Sequence, residues 1–336
     1  MIPKERVISA IEGGELEAPP VLPLIGAHSA VLANRDPREA FKDGRLMAEL
    51  QMRAVKFYQP DGIFHYMDLT LEAETLGAEI EFKGYFPVVV RHCIPEEVEF
   101  DVGKGRIGEF VRAITLLDRE LGSRLFIGAY VTGPLTMAVE LLGSKEGARW
   151  LVGRGSVVGE LLPKLSKFAS DYARALVDAG ADGVMILEPY CALASPKAFG
   201  RVILFINEVC HAVSSKGAYP ILHICGNTTH LLSLYPEVSA SAYQVDSVVS
   251  LEKAREELGD RCLMGNVSTT LLLYGEEESI TSTVRRCIEK AGTRYYILSA
   301  GCEVPPETPP ENLKALIKAA RGRVKHIIKF LTEASP

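Results

Sequence analysis

The chain has 336 residues, of which 47% are hydrophobic and 24% charged, the composition of an ordinary globular protein. Its formal net charge of −6 argues against a nucleic-acid partner and against binding to an anionic membrane surface. No apolar run reaches the roughly 18 residues of a membrane span, and the seven cysteines are scattered and odd in number, as expected of thiols in a reducing cytoplasm. We therefore predict a cytoplasmic protein with neither a nucleic-acid nor a membrane partner.

Short apolar runs recur along the chain and alternate with segments of helical periodicity. The predicted strands begin near residues 21, 61, 125, 182, 219, 242, 261 and 295. The predicted helices cover residues 3–13, 36–58, 106–121, 136–179, 197–217, 251–258, 276–291 and 310–331. Two β-rich runs, residues 79–82 and 86–90, predict a hairpin between the second strand and the helix that follows it.

Eight alternating β and α units predict an α/β protein with a (β/α)8 fold, a TIM barrel. Because no linker, low-complexity segment or charge block interrupts the chain, we expect residues 1–336 to form a single domain. A doubly wound open sheet is the alternative, but no Gly-x-Gly-x-x-Gly fingerprint follows the first predicted strand.

Polar side chains stand at the predicted carboxyl ends of these strands, where barrel enzymes place their active sites. They are His28, Asp68, Thr132, Glu188, His223, Cys225, Asp246, Asn266 and Cys302. In a barrel these side chains would converge on one mouth. Thr132 and Asn266 have a second interpretation, because threonine and asparagine often cap the helix that follows a strand.

The stretch Tyr-Pro-Ile-Leu-His-Ile-Cys-Gly-Asn, residues 219–227, predicts a short buried strand that ends at a glycine turn. His223 and Cys225 are two residues apart and therefore point to the same face. Imidazole and thiolate are ligands that zinc prefers, and Cys302 offers a third at the end of the last predicted strand. Three ligands with an open fourth position are typical of a catalytic zinc site. The alternative is that these are ordinary buried core residues.

With these motifs the chain resembles the uroporphyrinogen decarboxylase superfamily, over nearly its whole length. It is most similar to the zinc-dependent branch that includes the methylcobamide:coenzyme M methyltransferases. The resemblance is carried by residues 69–78 (Leu-Thr-Leu-Glu-Ala-Glu-Thr-Leu-Gly-Ala), 131–134 (Val-Thr-Gly-Pro), 223–227 (His-Ile-Cys-Gly-Asn), 265–267 (Gly-Asn-Val), 301–305 (Gly-Cys-Glu-Val-Pro) and 308–312 (Thr-Pro-Pro-Glu-Asn).

The resemblance implies an enzyme, a corrinoid-dependent methyltransferase, in which His223, Cys225 and Cys302 bind Zn2+. Zinc would bind the thiol of a small-molecule methyl acceptor, and the thiolate would attack the methyl group of a methylcobamide. The Asp-x-His-x-x-Gly signature of a corrinoid-binding module does not occur in this sequence, so a partner corrinoid protein would supply the methylcobamide. The expected acceptor is a thiol such as coenzyme M, or tetrahydrofolate in a bacterial O-demethylase system.

The resemblance also implies roles for the other strand-end residues. Asp68 lies about where the decarboxylases keep a catalytic aspartate. Asp246 lies 246 − 223 = 23 residues after His223, about where cobalamin-independent methionine synthase, a related zinc fold, has a carboxylate ligand, and Glu188 is the second candidate for that position. We assign Asp68, Glu188 and Asp246 to catalysis. We assign His28, Thr132 and Asn266 to cofactor binding.

Two other functions remain open. A uroporphyrinogen decarboxylase-like activity would rest on Asp68 and the fold. However, residues 22–30 contain none of the arginines that hold the carboxylates of a tetrapyrrole, and the next arginine is Arg35. A non-catalytic corrinoid-binding partner is the third possibility. No strand end supplies a lysine or arginine for the sulfonate of coenzyme M, so a loop residue would have to bind it.

Overall fold

The computed structural model describes residues 1–154 and 157–333, with side chains through residue 322. Residues 155, 156 and 334–336, which the single-domain prediction includes, lie outside the described residues.

Nine β-strands form within the described residues. They are β1 (Gly62–Phe64), β2 (Glu79–Lys83), β3 (Phe86–Arg91), β4 (Phe126–Thr132), β5 (Gly183–Leu187), β6 (Tyr219–Ile224), β7 (Ala242–Val245), β8 (Cys262–Val267) and β9 (Tyr296–Ala300). Seven of them build one parallel sheet in the order β1-β4-β5-β6-β7-β8-β9. The other two, β2 and β3, form the predicted antiparallel hairpin. The prediction of an α/β protein with a parallel sheet is confirmed.

Fourteen α-helices lie on the described part of the chain. They are α1 (Pro3–Glu12), α2 (His28–Leu32), α3 (Pro37–Ala40), α4 (Gly44–Tyr58), α5 (Leu71–Thr75), α6 (Ile107–Leu121), α7 (Pro134–Leu142), α8 (Ser144–Leu151), α9 (Val157–Asp178), α10 (Pro196–Ser214), α11 (Leu251–Leu258), α12 (Thr269–Tyr274), α13 (Glu277–Ala291) and α14 (Pro310–Glu333). Two 3-10 helices also form: Pro189–Leu193 lies between β5 and α10, and Thr229–Glu237 lies between β6 and β7. A search of the described helices finds none with the length and apolarity that a bilayer crossing requires.

The helical stretch predicted over residues 136–179 is divided into α7, α8 and α9. The first break falls at Gly143, whose φ of 90° lies outside the helical region and suits a glycine. The helix predicted over residues 36–58 is likewise divided, into α3 and α4. Side-chain caps mark the start of α4 and of α10. The Asp43 carboxylate accepts from two backbone N–H groups of α4, and the Ser195 hydroxyl accepts from one of α10.

The predicted first strand, residues 21–25, does not join the sheet as a strand. It forms a single parallel bridge between Val21 and Leu298 of β9. The reason is local, because Pro20 and Pro23 lack the N–H donors that a continuous ladder needs. The Leu22 N–H still donates to the Leu298 carbonyl at 2.9 Å, and the Asp61 N–H, just before β1, donates to the Val21 carbonyl at 2.9 Å. The sheet has seven strands where eight were predicted.

Both faces of the sheet are buried, as is usual for parallel strands. The helices cover one face. The other face encloses a separate cluster of buried side chains that includes Leu22, Phe64, Phe126, Ile221, Met264 and Ile297. These residues come from the 20–24 segment and from five strands of the sheet, so the inner faces of distant strands share one core. Val7 and Ile11 of α1 belong to the same cluster. The carboxyl ends of these strands therefore lie at one edge of this shared core, which we call the rim.

Candidate metal centre

His223, Cys225 and Cys302 come together at this rim, as the sequence predicts. His223 is the buried penultimate residue of β6, Cys225 follows the end of β6, and Cys302 lies two residues beyond β9. Their ligand atoms all lie within 4.8 Å of one another, and His223 Nε2 is 3.8 Å from Cys302 Sγ. A tetrahedral zinc ion, with Zn–S near 2.3 Å and Zn–N near 2.05 Å, would place a sulfur and a nitrogen about 3.6 Å apart. The residues present therefore fit a zinc ion.

Two glycines make this convergence possible. Gly226, with φ of 87°, ends β6 in a turn that directs Cys225 to the rim. Gly301 precedes Cys302 and packs directly against a neighbouring backbone, because a Cβ at this position would lie 2.5 Å from the backbone nitrogen of Ser247. A larger residue at 301 would push the Cys302 loop away from the loop that follows β7.

The two thiols differ in acidity because they interact with each other. Hydrogen bonding from Cys302, and then from His223, lowers the pKa of Cys225, whereas the same contact with Cys225, together with burial, raises the pKa of Cys302. The Cys225 sulfur also lies 3.4 Å from Asp246 Oδ2. In this contact the Cys225 thiol donates to the carboxylate.

Asp246 is fixed next to the centre by backbone donors. Its Oδ2 accepts from the Gly226 N–H at 2.9 Å, and its Oδ1 accepts from the Val248 N–H at 3.2 Å and from the Ser247 hydroxyl at 3.1 Å. Burial alone would raise the pKa of Asp246, but these donors outweigh it and the pKa is lowered. Asp246 is thus held against Cys225 but, among the described residues, lies outside the group with metal-ligand geometry, and its assignment to catalysis stays a prediction.

Glu188, the second candidate for the carboxylate near the metal ligands, accepts hydrogen bonds at the start of helix α7. Its carboxylate accepts from the Leu135 N–H at 3.0 Å, the Thr136 N–H at 2.9 Å and the Thr136 hydroxyl at 2.8 Å, all at the start of α7. Burial raises its pKa to about 7. Within the described residues, the group with metal-ligand geometry contains His223, Cys225 and Cys302, and Glu188 is not among them.

Asp68 is fully engaged in a buried ion pair. Its Oδ1 accepts from the Thr70 N–H at 2.8 Å and the Thr70 hydroxyl at 2.7 Å, and its Oδ2 pairs with Arg106 Nη1 at 2.8 Å. Arg106 also pairs with Glu74 at 2.7 Å. Sequence reasoning missed Arg106 because it lies just before α6, 38 residues from Asp68, and no strand pattern marks it.

His28 and Thr132 form hydrogen bonds with other residues at the rim. Both ring nitrogens of His28 are used, one within 2.9 Å of the Pro306 carbonyl and the other within 2.7 Å of the Tyr58 hydroxyl, and burial lowers its pKa. The Thr132 N–H and hydroxyl both donate to the Glu72 carboxylate, at 2.7 Å and 2.6 Å. Both ring nitrogens of His28 are engaged within the protein, and the assignment of His28 and Thr132 to cofactor binding stays a prediction.

Asn266 of β8 holds the loop that follows β7. Its Nδ2 donates to the Asp246 carbonyl at 3.0 Å and to the Val249 carbonyl at 2.8 Å. The side chain therefore supports the loop that carries Asp246.

Glu303 is a second residue that sequence reasoning missed. It stands directly after Cys302, half-buried, and its Oε1 accepts a long hydrogen bond of 3.4 Å from the Met67 N–H. Burial raises its pKa to about 8. The Gly-Cys-Glu-Val-Pro motif contained this residue, but a single acidic residue in a loop gave no signal of a role.

Comparison with known proteins places this chain in a family. The sequence model of uroporphyrinogen decarboxylase (URO-D) matches residues 2–323. The methylcobamide:CoM methyltransferase MtbA of Methanosarcina acetivorans is 26% identical over 300 residues, which are 84% of this chain and 86% of that protein. The uroporphyrinogen decarboxylase of Trichodesmium erythraeum is also 26% identical, over 341 residues that are 94% of this chain and 95% of that protein.

A solved structure described as a methyltransferase from Methanosarcina mazei has a TM-score of 0.87 to this chain at 27% identity, covering 96% of this chain and 99% of that one. Identity to the methyltransferase and to the decarboxylase is the same, so the choice between the two activities depends on the site. The resemblance inferred from the sequence motifs is confirmed. This chain belongs to the uroporphyrinogen decarboxylase family.

Proposed function

We propose that this protein is a zinc-dependent methyltransferase that moves a methyl group from a methylated corrinoid protein to a small thiol. The observation that carries the proposal is the group of one imidazole and two thiols, His223, Cys225 and Cys302, with all ligand atoms within 4.8 Å. The names of the similar methyltransferases, which state methylcobamide and CoM, support a corrinoid donor and a thiol acceptor.

The residues of the centre have distinct roles in this proposal. His223 Nε2 and the sulfurs of Cys225 and Cys302 are the ligand atoms. A zinc ion bound by them would keep the acceptor's sulfur in its thiolate form, which is the nucleophile. Asp246 fixes the turn at Gly226 and thereby the direction of the Cys225 thiolate. Metal ligands need such outer partners to hold their orientation.

The reaction proposed is a displacement at the methyl carbon. The new sulfur–carbon bond forms as the cobalt–carbon bond of the donor breaks, and the electron pair of the broken bond stays on cobalt. The proton of the thiol passes to solvent. The corrinoid is delivered by a partner protein, because this sequence has no corrinoid-binding signature. Tetrahydrofolate remains the second candidate acceptor.

Three structural features belong to the same proposal. The 20–22 segment, hydrogen-bonded both to β9 and to Asp61 before β1, closes the sheet into an eight-membered barrel with one mouth. The chain forms a single domain, which the match over residues 2–323 supports. The protein works in the cytoplasm, where its seven cysteines, all free thiols in the structure, stay reduced.

The decarboxylase alternative has less support from the site. A substrate with many carboxylates needs guanidinium or ammonium groups that are free to bind them. Arg106, which lies beside Asp68, is paired with Asp68 through Nη1 and with Glu74 through Nε, and within the described structure only its Nη2 is left without a partner. Asp68 in turn has both carboxylate oxygens engaged, by Thr70 and Arg106.

Metal content tests the proposal directly. We expect about one zinc per chain by mass spectrometry of protein purified without an affinity tag, with zinc lost in Cys225→Ala and in Cys302→Ala. Cys93→Ala is the matched control, because Cys93 is also a half-buried free thiol but its sulfur lies 3.7 Å from the Leu76 carbonyl, outside the centre. Full zinc content in both variants, or no zinc in the wild type after reconstitution, would refute the proposal.

A further inference from the structure

A cavity of about 330 Å³ lies between the loop after β7, the end of β8 and helix α13. Its volume is about eleven times the roughly 30 Å³ that one water molecule takes in the liquid, and it falls at the lower end of the range for small-molecule sites. Four of the residues that line it are buried, and they are Val249, Leu251, Asn266 and Cys287. The cavity is therefore large enough for a small organic molecule as well as for an ion.

The charged side chains that line this cavity are all positive. The chain carries 43 acidic and 37 basic residues, yet the lining contains Arg286 and Lys290 and no acidic residue. Both cations belong to α13 and are four residues apart, so they lie on the same face of the helix. Glu252, which does not line the cavity, pairs with Lys290 at 3.0 Å. Within the described residues Arg286 forms no ion pair, and its charge is available to a ligand.

Hydrogen-bond donors surround this free charge. Arg286 Nη2 donates to the Thr283 hydroxyl oxygen at 2.9 Å, and its Nε and Nη1 have no acceptor in the described structure. The Ser268 hydroxyl oxygen accepts from the Leu271 N–H at 3.3 Å. In the same part of the chain neither hydroxyl donates its own hydrogen to a protein atom. A guanidinium group with free N–H donors beside two hydroxyl donors suits the acceptor oxygens of a phosphate.

The cavity adjoins the metal centre through one loop but is separate from it. Ser247 and Val248 line the cavity, and the same two residues donate to Asp246 Oδ1, at 3.1 Å from the hydroxyl and 3.2 Å from the N–H. Arg286 and Thr283 are not among the residues with metal-ligand geometry in the described structure. A ligand held by α13 would therefore lie against the loop that follows β7 without entering the metal centre.

We propose that this cavity is a second ligand site, which binds the phosphate group of a small molecule through Arg286 and the hydroxyls of Thr283 and Ser268. A guanidinium group can donate to two phosphate oxygens at once, and the negative charge of the phosphate matches the cationic lining. Val249 and Leu251 supply an apolar wall for the remainder of a phosphate monoester. Inorganic phosphate and a monoester share the chemistry that Arg286 recognises, so the test includes both.

Calorimetry on the full-length protein as purified, at about 0.15 M sodium chloride, measures binding of inorganic phosphate, phenyl phosphate and phenol. We expect inorganic phosphate to bind with a Kd of about 1 mM or lower and phenol, which lacks the phosphate, to give no measurable binding. Tighter binding of phenyl phosphate than of inorganic phosphate would identify a monoester as the ligand, whereas equal affinities would identify the free ion. Both results support the site, and no binding of either phosphate at about 20 mM would overturn it.

Two arginine variants locate the bound phosphate. Arg286→Gln should weaken the binding of both phosphates at least about 10-fold, because a hydrogen bond to a charged group contributes about one factor of ten or more. Arg285→Gln is the matched control, because Arg285 is the adjacent exposed arginine of α13 and lines a different cavity. It removes the same charge and should change the affinity by less than about twofold.

Equal weakening in the two arginine variants would show that binding is general charge attraction, and it would overturn the inference. Phosphate binding that is lost in Cys225→Ala but unchanged in Arg286→Gln would also overturn it, because the ion would then lie at the metal centre. Either result leaves the methyltransferase proposal standing, since that proposal is tested by zinc content and does not depend on this cavity.

Discussion

Replacing Glu188 by alanine separates a structural role for this residue from a catalytic one. The carboxylate accepts from the N–H groups of Leu135 and Thr136, two of the four backbone donors that the start of a helix leaves without an intrahelical partner. Each buried N–H left unsatisfied costs about 1–3 kcal/mol, so the two together predict a loss of about 2–6 kcal/mol in the free energy of unfolding. Water entering the space left by the side chain would bring the loss toward the lower end, and we expect about 3 kcal/mol.

The assay is urea unfolding followed by circular dichroism, together with zinc content of the folded protein. Glu188→Ala should shift the unfolding midpoint while zinc remains near one per chain, because Glu188 lies outside the ligand group. Glu160→Ala is the control, since Glu160 is an exposed residue of α9 and its removal should change stability by less than about 0.5 kcal/mol. An unchanged free energy of unfolding together with a loss of zinc would refute this reasoning and would indicate that Glu188 is a metal ligand.

Two further predictions concern other carboxylates of the rim. Burial raises the pKa of Glu72 from 4.5 to about 7, so the folded protein favours the protonated form of this side chain. The contribution of that form to the free energy of unfolding is fully present below pH 4.5 and is lost as the pH rises through 7. In Glu72→Gln the amide can still pair with the Thr132 N–H and hydroxyl. The free energy of unfolding of this variant, taken relative to that of the wild type, should rise by about 2–3 kcal/mol from pH 5 to pH 8. An equal difference between variant and wild type in urea unfolding at the two pH values would contradict this. Asp246→Asn should bind zinc about 10- to 100-fold more weakly in competition with a chelator, because Asp246 orients the turn that carries Cys225; an unchanged affinity would exclude that role.

Only part of the candidate site could be predicted from residue patterns in the sequence. The period-two spacing of His223 and Cys225 on a short apolar strand is a local property, so the sequence could predict that both side chains face the same way. The pairing of Cys302 with this motif spans 79 residues from His223, and it followed from the resemblance and from the expected convergence of strand ends. The partners of Asp68 and Glu188 could not be predicted, since Arg106 and the start of α7 are brought to them only by the packing of separate βα units.

The sequence by itself determined the alternation of strands and helices, the hairpin of β2 and β3, and the strand-end positions of the polar residues, because apolar periodicity and glycine turns act within a few residues. Tertiary structure alone decided which of those polar residues meet the metal ligands. It assigned Asp246 to Cys225, Glu188 to the start of α7 and Thr132 to Glu72. The physical reason is that buried carboxylates take the donors that the folded backbone presents to them, and those donors come from segments far apart in the chain.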